Sequence, residues 1–171
     1  GYTNAGKSTL FNRLTRADVY VADQLFATLD TTSRRMFTEG QGEIVVSDTV
    51  GFIRHLPHSL VAAFRSTLEE TIQADLLLHV VDANNANRDD QIAEVNKVLA
   101  EIGAADIPQV LVFNKIDLQD VPPSVQRDEY GKIARVFLSA KSGAGLDGLR
   151  LVLDEAKAAR QAAEAIKSNQ E

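Results

Sequence analysis

The chain has 171 residues, 44% of them apolar and 25% charged, a length and balance that suit one soluble globular domain with a real core. Cysteine is absent, which excludes a disulfide framework, a cysteine-based zinc finger and a thiol nucleophile. A net charge of −6 speaks against a domain that grips nucleic acid by electrostatics alone. No signal-peptide pattern is present, and no apolar run approaches the roughly 18 residues of a membrane helix, so a cytoplasmic location is expected.

In chain order, the opening GYTNAGKSTLFNRL is a glycine loop running into a helix. Such a loop normally hangs from a buried strand, yet here the chain opens on the loop itself. The expectation is therefore a domain over 1–171 lacking its first strand, a piece of a longer protein whose flanking domains are absent. A polar loop is expected over 16–36, then a strand at EIVVSDTV and an amphipathic helix at SLVAAFRSTLEETIQ. DLLLHVVDA reads as a near-continuous apolar strand, and DDQIAEVNKVLAEIG as a helix closed by Gly103. PQVLVFN and IARVFLS are short buried-type strands, separated by a second polar loop over 118–131. GLDGLRLVLDEAKAARQAAEAIKS is a closing, Ala-rich helix. Apolar strands alternating with helices imply an α/β fold of three layers, a mostly parallel sheet with helices on both faces. Ligands of such sheets sit at the carboxyl ends of the strands.

Gly1, Gly6, Lys7 and Ser8 satisfy the pattern G-x-x-x-x-G-K-[ST]. Glycines let the backbone curl so that successive amides point at phosphate oxygens, and the helix that follows adds its positive end. Tyr2, Thr3, Ala5 and Thr9 complete this contact set. Lys7 would reach the β- and γ-phosphates, and Ser8 would ligate Mg²⁺. Asn4 has two open readings: a turn residue tolerant of unusual backbone angles, or a side-chain oxygen that helps hold a monovalent cation such as K⁺.

VLVFNKIDL ends a strand with Asn114, Lys115 and Asp117. A carboxylate only accepts, so Asp117 can take both the ring N–H and the exocyclic amine of guanine, which adenine cannot offer on that edge. Lys115 would lie over the base and brace the phosphate loop, while Asn114 ties loops together. Ser139, Ala140 and Lys141, at the end of the next strand, would border the base, with the Ala140 amide donating to its oxygen. SDTVGF supplies Asp48 for Mg²⁺ and the Gly51 amide for the γ-phosphate, with Thr49 and Val50 between them. A threonine of DQLFATLDTTSRR should close over the metal in the triphosphate state; Thr28, Thr31 and Thr32 are the candidates.

These four elements, in this order, resemble the P-loop GTPases. GYTNAGKSTLFNRLT, ADQLFATLD and above all DTVGFIRHLPHSLVAAFRSTLEE are similar to the HflX family within the Obg–HflX group. Relatives there carry an F-[AT]-T-L segment whose second threonine ligates magnesium. The match places Phe26, Ala27, Thr28, Leu29 and Asp30 in the first switch, and Ser8, Thr28 and Asp48 around Mg²⁺. Lys7, Thr28 and Gly51 are then the residues that touch the reacting phosphate. The resemblance implies a GTPase that binds the large ribosomal subunit through the full-length protein and helps split or rescue stalled ribosomes. Phe52 stands where Ras carries a water-orienting glutamine, so intrinsic hydrolysis should be slow and stimulated by a partner. The alternative is a nucleotide-dependent binding module that scarcely turns over; an ATP-dependent enzyme is disfavoured by Asp117.

Other polar residues read as structural. His55 and His58 suit a surface loop or helix start, His79 a core histidine with a backbone partner, Arg34 and Arg35 the start of a strand, and Glu69 and Glu70 a solvated helix face.

Overall fold

A computed structural model of the chain describes residues 1–15, 32–38, 42–49, 51 and 68–170. Helix α1 (Lys7–Thr15) follows the opening loop and buries Leu10, Phe11 and Leu14. Strands β1 (Thr32–Thr38) and β2 (Gly42–Asp48) pair antiparallel as a two-stranded sheet. After a short α2 (Glu69–Ile72) come β3 (Leu77–Asp82), α3 (Arg88–Glu101), β4 (Gln109–Asn114), β5 (Ser124–Arg127), β6 (Ile133–Phe137) and the long α4 (Leu146–Ser168). The four later strands form one sheet in the order β3-β4-β6-β5. Its first three strands are parallel, and β5 is antiparallel on the edge.

Side-chain alternation along these strands splits the sheet into two apolar faces. Val80, Val110, Val112 and Val136 meet Leu10 and Leu14 of α1 and Leu149, Val152 and Leu153 of α4. On the opposite face, Val81 and Phe113 pack with Ile92 of α3, and Leu77 packs with Val95 and Leu99. Helices thus cover both sides, as the alternating pattern requires. Helix α3 ends as expected at Gly103, whose φ is +81°. The Ala104 amide bonds the Leu99 carbonyl and the Gly103 amide bonds that of Ala100, which satisfies two otherwise orphaned carbonyls.

Two sequence expectations need correction. Residues 32–36 are strand rather than loop, and the stretch 118–131 contains β5. Both strands read as polar because most of their side chains reach water: Arg34, Arg35 and Phe37 are exposed in β1, and β5 half-buries only Val125. With β5 and the β1–β2 hairpin added, the strands are mixed in direction. The four-residue α2 lies inside the expected helix at 59–73, of which 59–67 fall outside the described residues.

A cleft of about 860 Å³ separates β2 from β3, with Ile44 and Val46 on one wall and Leu78 and Val80 on the other. His79 also lines it. Its imidazole is buried and its Nδ1 lies 3.2 Å from the Gln109 side-chain oxygen, so its partner is a side chain rather than the backbone. Burial, opposed by the Gln109 bond, lowers its pKa to about 4.

A histidine held neutral in the fold but protonated at about pH 6.5 when unfolded makes the unfolded chain bind the extra proton between those values. Stability is therefore present above pH 6.5 and is lost as pH falls toward 4. Chemical denaturation at pH 7 and pH 4.5 should show wild type losing about 2 kcal/mol more than His79→Gln. Equal losses in the two proteins would remove His79 from the acid response.

Candidate functional site

The carboxyl ends of β2, β3, β4 and β6 converge on the opening loop. The loop passes through a left-handed residue at Asn4 (φ +59°) and a positive φ of +94° at Gly6, whose carbonyl then accepts the first helical bond, from Leu10. A Cβ on Gly6 would lie 2.3 Å from Nδ2 of Asn114, so both the angle and the approach require glycine. Asn114 is buried at the end of β4. Its Nδ2 donates to the Ala5 carbonyl at 3.0 Å, and its Oδ1 accepts from the Ala140 amide at 2.9 Å. One side chain therefore ties the opening loop to the segment after β6.

Lys115 follows in a left-handed conformation, φ +68° and ψ +32°. Its ammonium donates to the Asn4 carbonyl at 2.8 Å. Asp117, at the start of a 3₁₀ turn (Ile116–Leu118), is exposed and accepts from Ser139 Oγ at 2.7 Å. Ser139 thus fixes the carboxylate through one oxygen. The Ala140 amide, expected to donate to the base, here donates to Asn114, because a buried amide side chain must have its oxygen satisfied. Lys141 is exposed beside it.

On the other side of the loop, Ser8 Oγ donates to Oδ2 of the buried Asp48 at 2.8 Å. This hydroxyl–carboxylate pair is a set of hard oxygen donors and fits Mg²⁺, which takes one or two protein ligands and completes its shell with phosphate and water. Among the described residues, no group of three or more His, Asp or Glu could hold a metal by itself. Gly51 is buried against the loop: a Cβ there would come within 2.8 Å of Lys7 Nζ and 3.0 Å of Thr3 Cα. Burial pushes the Lys7 ammonium below its ordinary pKa, and the Asp48 carboxylate acts against that shift. A desolvated cation beside the glycine loop is suited to a polyanion.

The structure thus brings together Gly1 to Thr9, Asp48, Thr49, Gly51, Asn114, Lys115, Asp117 and Ser139 to Lys141 around one loop. Phe26, Ala27, Thr28, Leu29, Asp30, Val50 and Phe52, with Thr31, His55 and His58, lie outside the described residues. Arg34 and Arg35 sit on β1, away from this convergence. Sequence reasoning missed Arg13, on the last turn of α1, whose Nε donates to the Ala140 carbonyl at 3.1 Å and whose guanidinium also reaches the Lys141 carbonyl. It missed Asp82 and Asn84 as well, at the end of β3. No motif marks them; only the register that sets Asp82 opposite Asn114 does.

The family profile described as 50S ribosome-binding GTPase matches residues 1–115. GTPase HflX of Escherichia coli (strain K12) is 61% identical over 156 residues, covering 91% of this chain and 37% of that protein. GTPase HflX of Caldanaerobacter subterraneus subsp. tengcongensis is 53% identical over 149 residues, covering 87% and 33%. The chain therefore spans about a third of the length of the curated relatives it matches. Among solved structures, a GTP-binding protein from the hyperthermophilic archaeon Sulfolobus solfataricus in complex with GDP superposes with a TM-score of 0.69 at 27% identity, covering 92% of this chain and 50% of that one. Era in complex with MgGDPNP and nucleotides 1506–1542 of 16S ribosomal RNA gives 0.65 at 25% identity, covering 91% and 54%.

The Gly6–Asn114 approach can be isolated by a pair of substitutions. Gly6→Ala incurs both backbone strain and the collision with Asn114. Gly42→Ala, at φ +81° with nothing within 4 Å of the new Cβ, incurs strain alone. Thermal melts should place Gly6→Ala about 2 kcal/mol below Gly42→Ala, roughly 4–8 °C in melting temperature. Equal melts would mean that the loop yields without losing the Asn114 tie.

Proposed function

Because this chain belongs to the family of 50S ribosome-binding GTPases, and the HflX resemblance read from its sequence holds across its curated relatives, we propose that the loop convergence just described is its guanine-nucleotide site. The observation that carries this reading is the Asn114 side chain, which joins the phosphate-type loop and the two base-side segments into one surface. In this reading the amides from Gly1 to Thr9 and the Lys7 ammonium bind the phosphates, with the Gly51 amide set beside Lys7 for the γ-phosphate. Asp117, held by Ser139, reads guanine. Phe26, Ala27, Leu29 and Asp30, with Val50, extend the contact set on the switch segments.

GTP hydrolysis breaks the bond between the γ-phosphorus and the β–γ bridging oxygen while water attacks in line. Ser8, Asp48 and Thr28 would hold Mg²⁺, which would supply charge neutralisation to the phosphates. The protein's own work is positioning: Lys7 and the loop amides hold the phosphoryl group and receive its developing charge. Phe52 supplies no hydrogen bond to water, so intrinsic turnover is slow. For the whole protein, the family supports a switch whose triphosphate state engages the large ribosomal subunit, with splitting or rescue of stalled ribosomes as the outcome and a cytoplasmic location.

Calorimetry in Mg²⁺ buffer should show GDP binding without ADP binding, and Asp117→Asn should move preference toward xanthine nucleotides. Retained guanine preference in that variant would sink the base assignment.

Phosphate release measured with and without 50S subunits should rise at least about tenfold with them, since partner groups can supply the missing positioning. It should also be faster in K⁺ than in Na⁺ if Asn4 helps hold a cation. No stimulation would favour the second reading, in which Phe52 leaves a binding module that signals by nucleotide state and scarcely turns over. Equal rates in both salts, with affinity intact, would dispose of the cation.

A further inference from the structure

Lys115 is held from both sides. Its ammonium donates to the Asn4 carbonyl at 2.8 Å and also to Asp82 Oδ2 at 3.0 Å. The other oxygen of Asp82, Oδ1, accepts from the Asn84 amide at 2.9 Å and lies 3.4 Å from Asn84 Nδ2. Asn84 Nδ2 in turn donates to the Lys115 carbonyl at 2.8 Å. The circuit is closed: Asp82 grips the side-chain end of Lys115, Asn84 grips its backbone, and Asp82 and Asn84 hold each other.

The fold delivers these residues to one another. Parallel register pairs Asp82 with Asn114, and the Ala83 amide extends the ladder by bonding the Asn114 carbonyl. The first residue beyond β4 is then Lys115, level with the turn after β3. Lys115 sits at a left-handed φ of +68°, a strained conformation for a residue that carries a side chain. Such a conformation persists where surrounding bonds over-determine it, and the Asn84 bond to its carbonyl is placed to do so. The Asp82–Lys115 pair is partly shielded, with side chains 22% and 32% exposed, so the ion pair is better protected than one on the surface.

We propose that Asp82 and Asn84 are positioning residues for the nucleotide site: they form a clasp that fixes Lys115 between the opening loop and the base, and so set how long guanine nucleotide stays bound. This rests on the guanine-nucleotide reading above. The clasp needs a carboxylate at 82. Both oxygens accept at once, whereas an amide has one acceptor and one donor and must lose either the Asn84 amide or the Lys115 ammonium.

Stopped-flow dissociation of a fluorescent GDP analogue from the chain tests this. Asp82→Asn should raise the off-rate about tenfold, the scale of one charge-assisted hydrogen bond, with the on-rate within about twofold. Lys115→Ala should raise it at least as much, and the double variant should be no faster than Lys115→Ala alone, because Asp82 acts through Lys115. Asn84→Ala, which leaves the charge pair intact, should give a smaller increase in the same direction and stands in if Asp82→Asn does not fold. Off-rates within about twofold of wild type in Asp82→Asn, or in Asn84→Ala where it stands in, overturn the clasp. Multiplicative effects of Asp82→Asn and Lys115→Ala also overturn it, since they would make Asp82 independent of Lys115. A folded wild-type chain that binds no GDP overturns the nucleotide reading itself, and is told apart from failure of the clasp by the wild-type trace alone.

Discussion

The buried amide of Asn114 is the constraint on which the site's geometry depends. It lies at the end of a central strand, where β4 is paired on both sides and its backbone is fixed. From there its two ends reach in opposite directions, to the Ala5 carbonyl and the Ala140 amide. A single hydrogen bond of this sort is worth only about 1 kcal/mol net, but an unpaired buried amide costs more, since neither end could turn to water. The asymmetry makes the tie hard to break partway: either both segments stay docked, or Asn114 loses a partner in a place without solvent. The opening loop therefore inherits its position from the sheet rather than from its own glycine-rich backbone.

That inheritance explains how the loop tolerates its conformation. Asn4 and Lys115 are both left-handed, and a direct hydrogen bond runs from one to the other. Each is costly by itself, and neither lies in a regular element that could stabilise it by repetition. They are held instead by side chains from outside: Asn114 on Ala5, Asn84 on Lys115, Arg13 on the segment after β6. Backbone amides kept in strained positions by distant anchors do not need to reorganise when an anion arrives, which is where a preorganised site gains over water.

Much of this was legible in the sequence, for a physical reason. Buried parallel strands need long apolar runs, and LLHVVD, QVLVFN and IARVF are distinctive against polar surroundings. The phosphate loop and the NKID and SAK segments declare themselves because their chemistry demands particular residues at fixed spacing. β5 and β1 escaped because a strand whose side chains mostly reach water resembles a loop: SVQR and TSRRMFT carry charge where water can reach it. Asp82, Asn84 and Arg13 escaped for a different reason. Their bonds to the lysine and to the segment after β6 span 31 to 128 positions, and the pairing follows from strand register or helix docking, neither of which leaves a local pattern. His79 was readable as a core residue, but the identity of its partner depends on the β3–β4 register, which sets it near Gln109.

The two lysines of the site illustrate how an acidic domain can bind a polyanion. With a net charge of −6 over these 171 residues, the average field of the domain repels phosphate, so attraction has to be local. Lys7 is desolvated, with Asp48 as its nearby counter-charge, and Asp48 is already engaged by Ser8. Its charge is directed into the loop, where a γ-phosphate would meet it. Lys115, by contrast, is neutralised by Asp82 and spends its second bond on a backbone carbonyl. A lysine paired in that way contributes little field at the phosphates; its value is as a strut of fixed length between loop and base. Substituting Lys7 should therefore remove charge, whereas loosening Lys115 removes geometry. The distinction follows from what each ammonium touches, and it separates two residues that composition alone would count as equivalent positive charges.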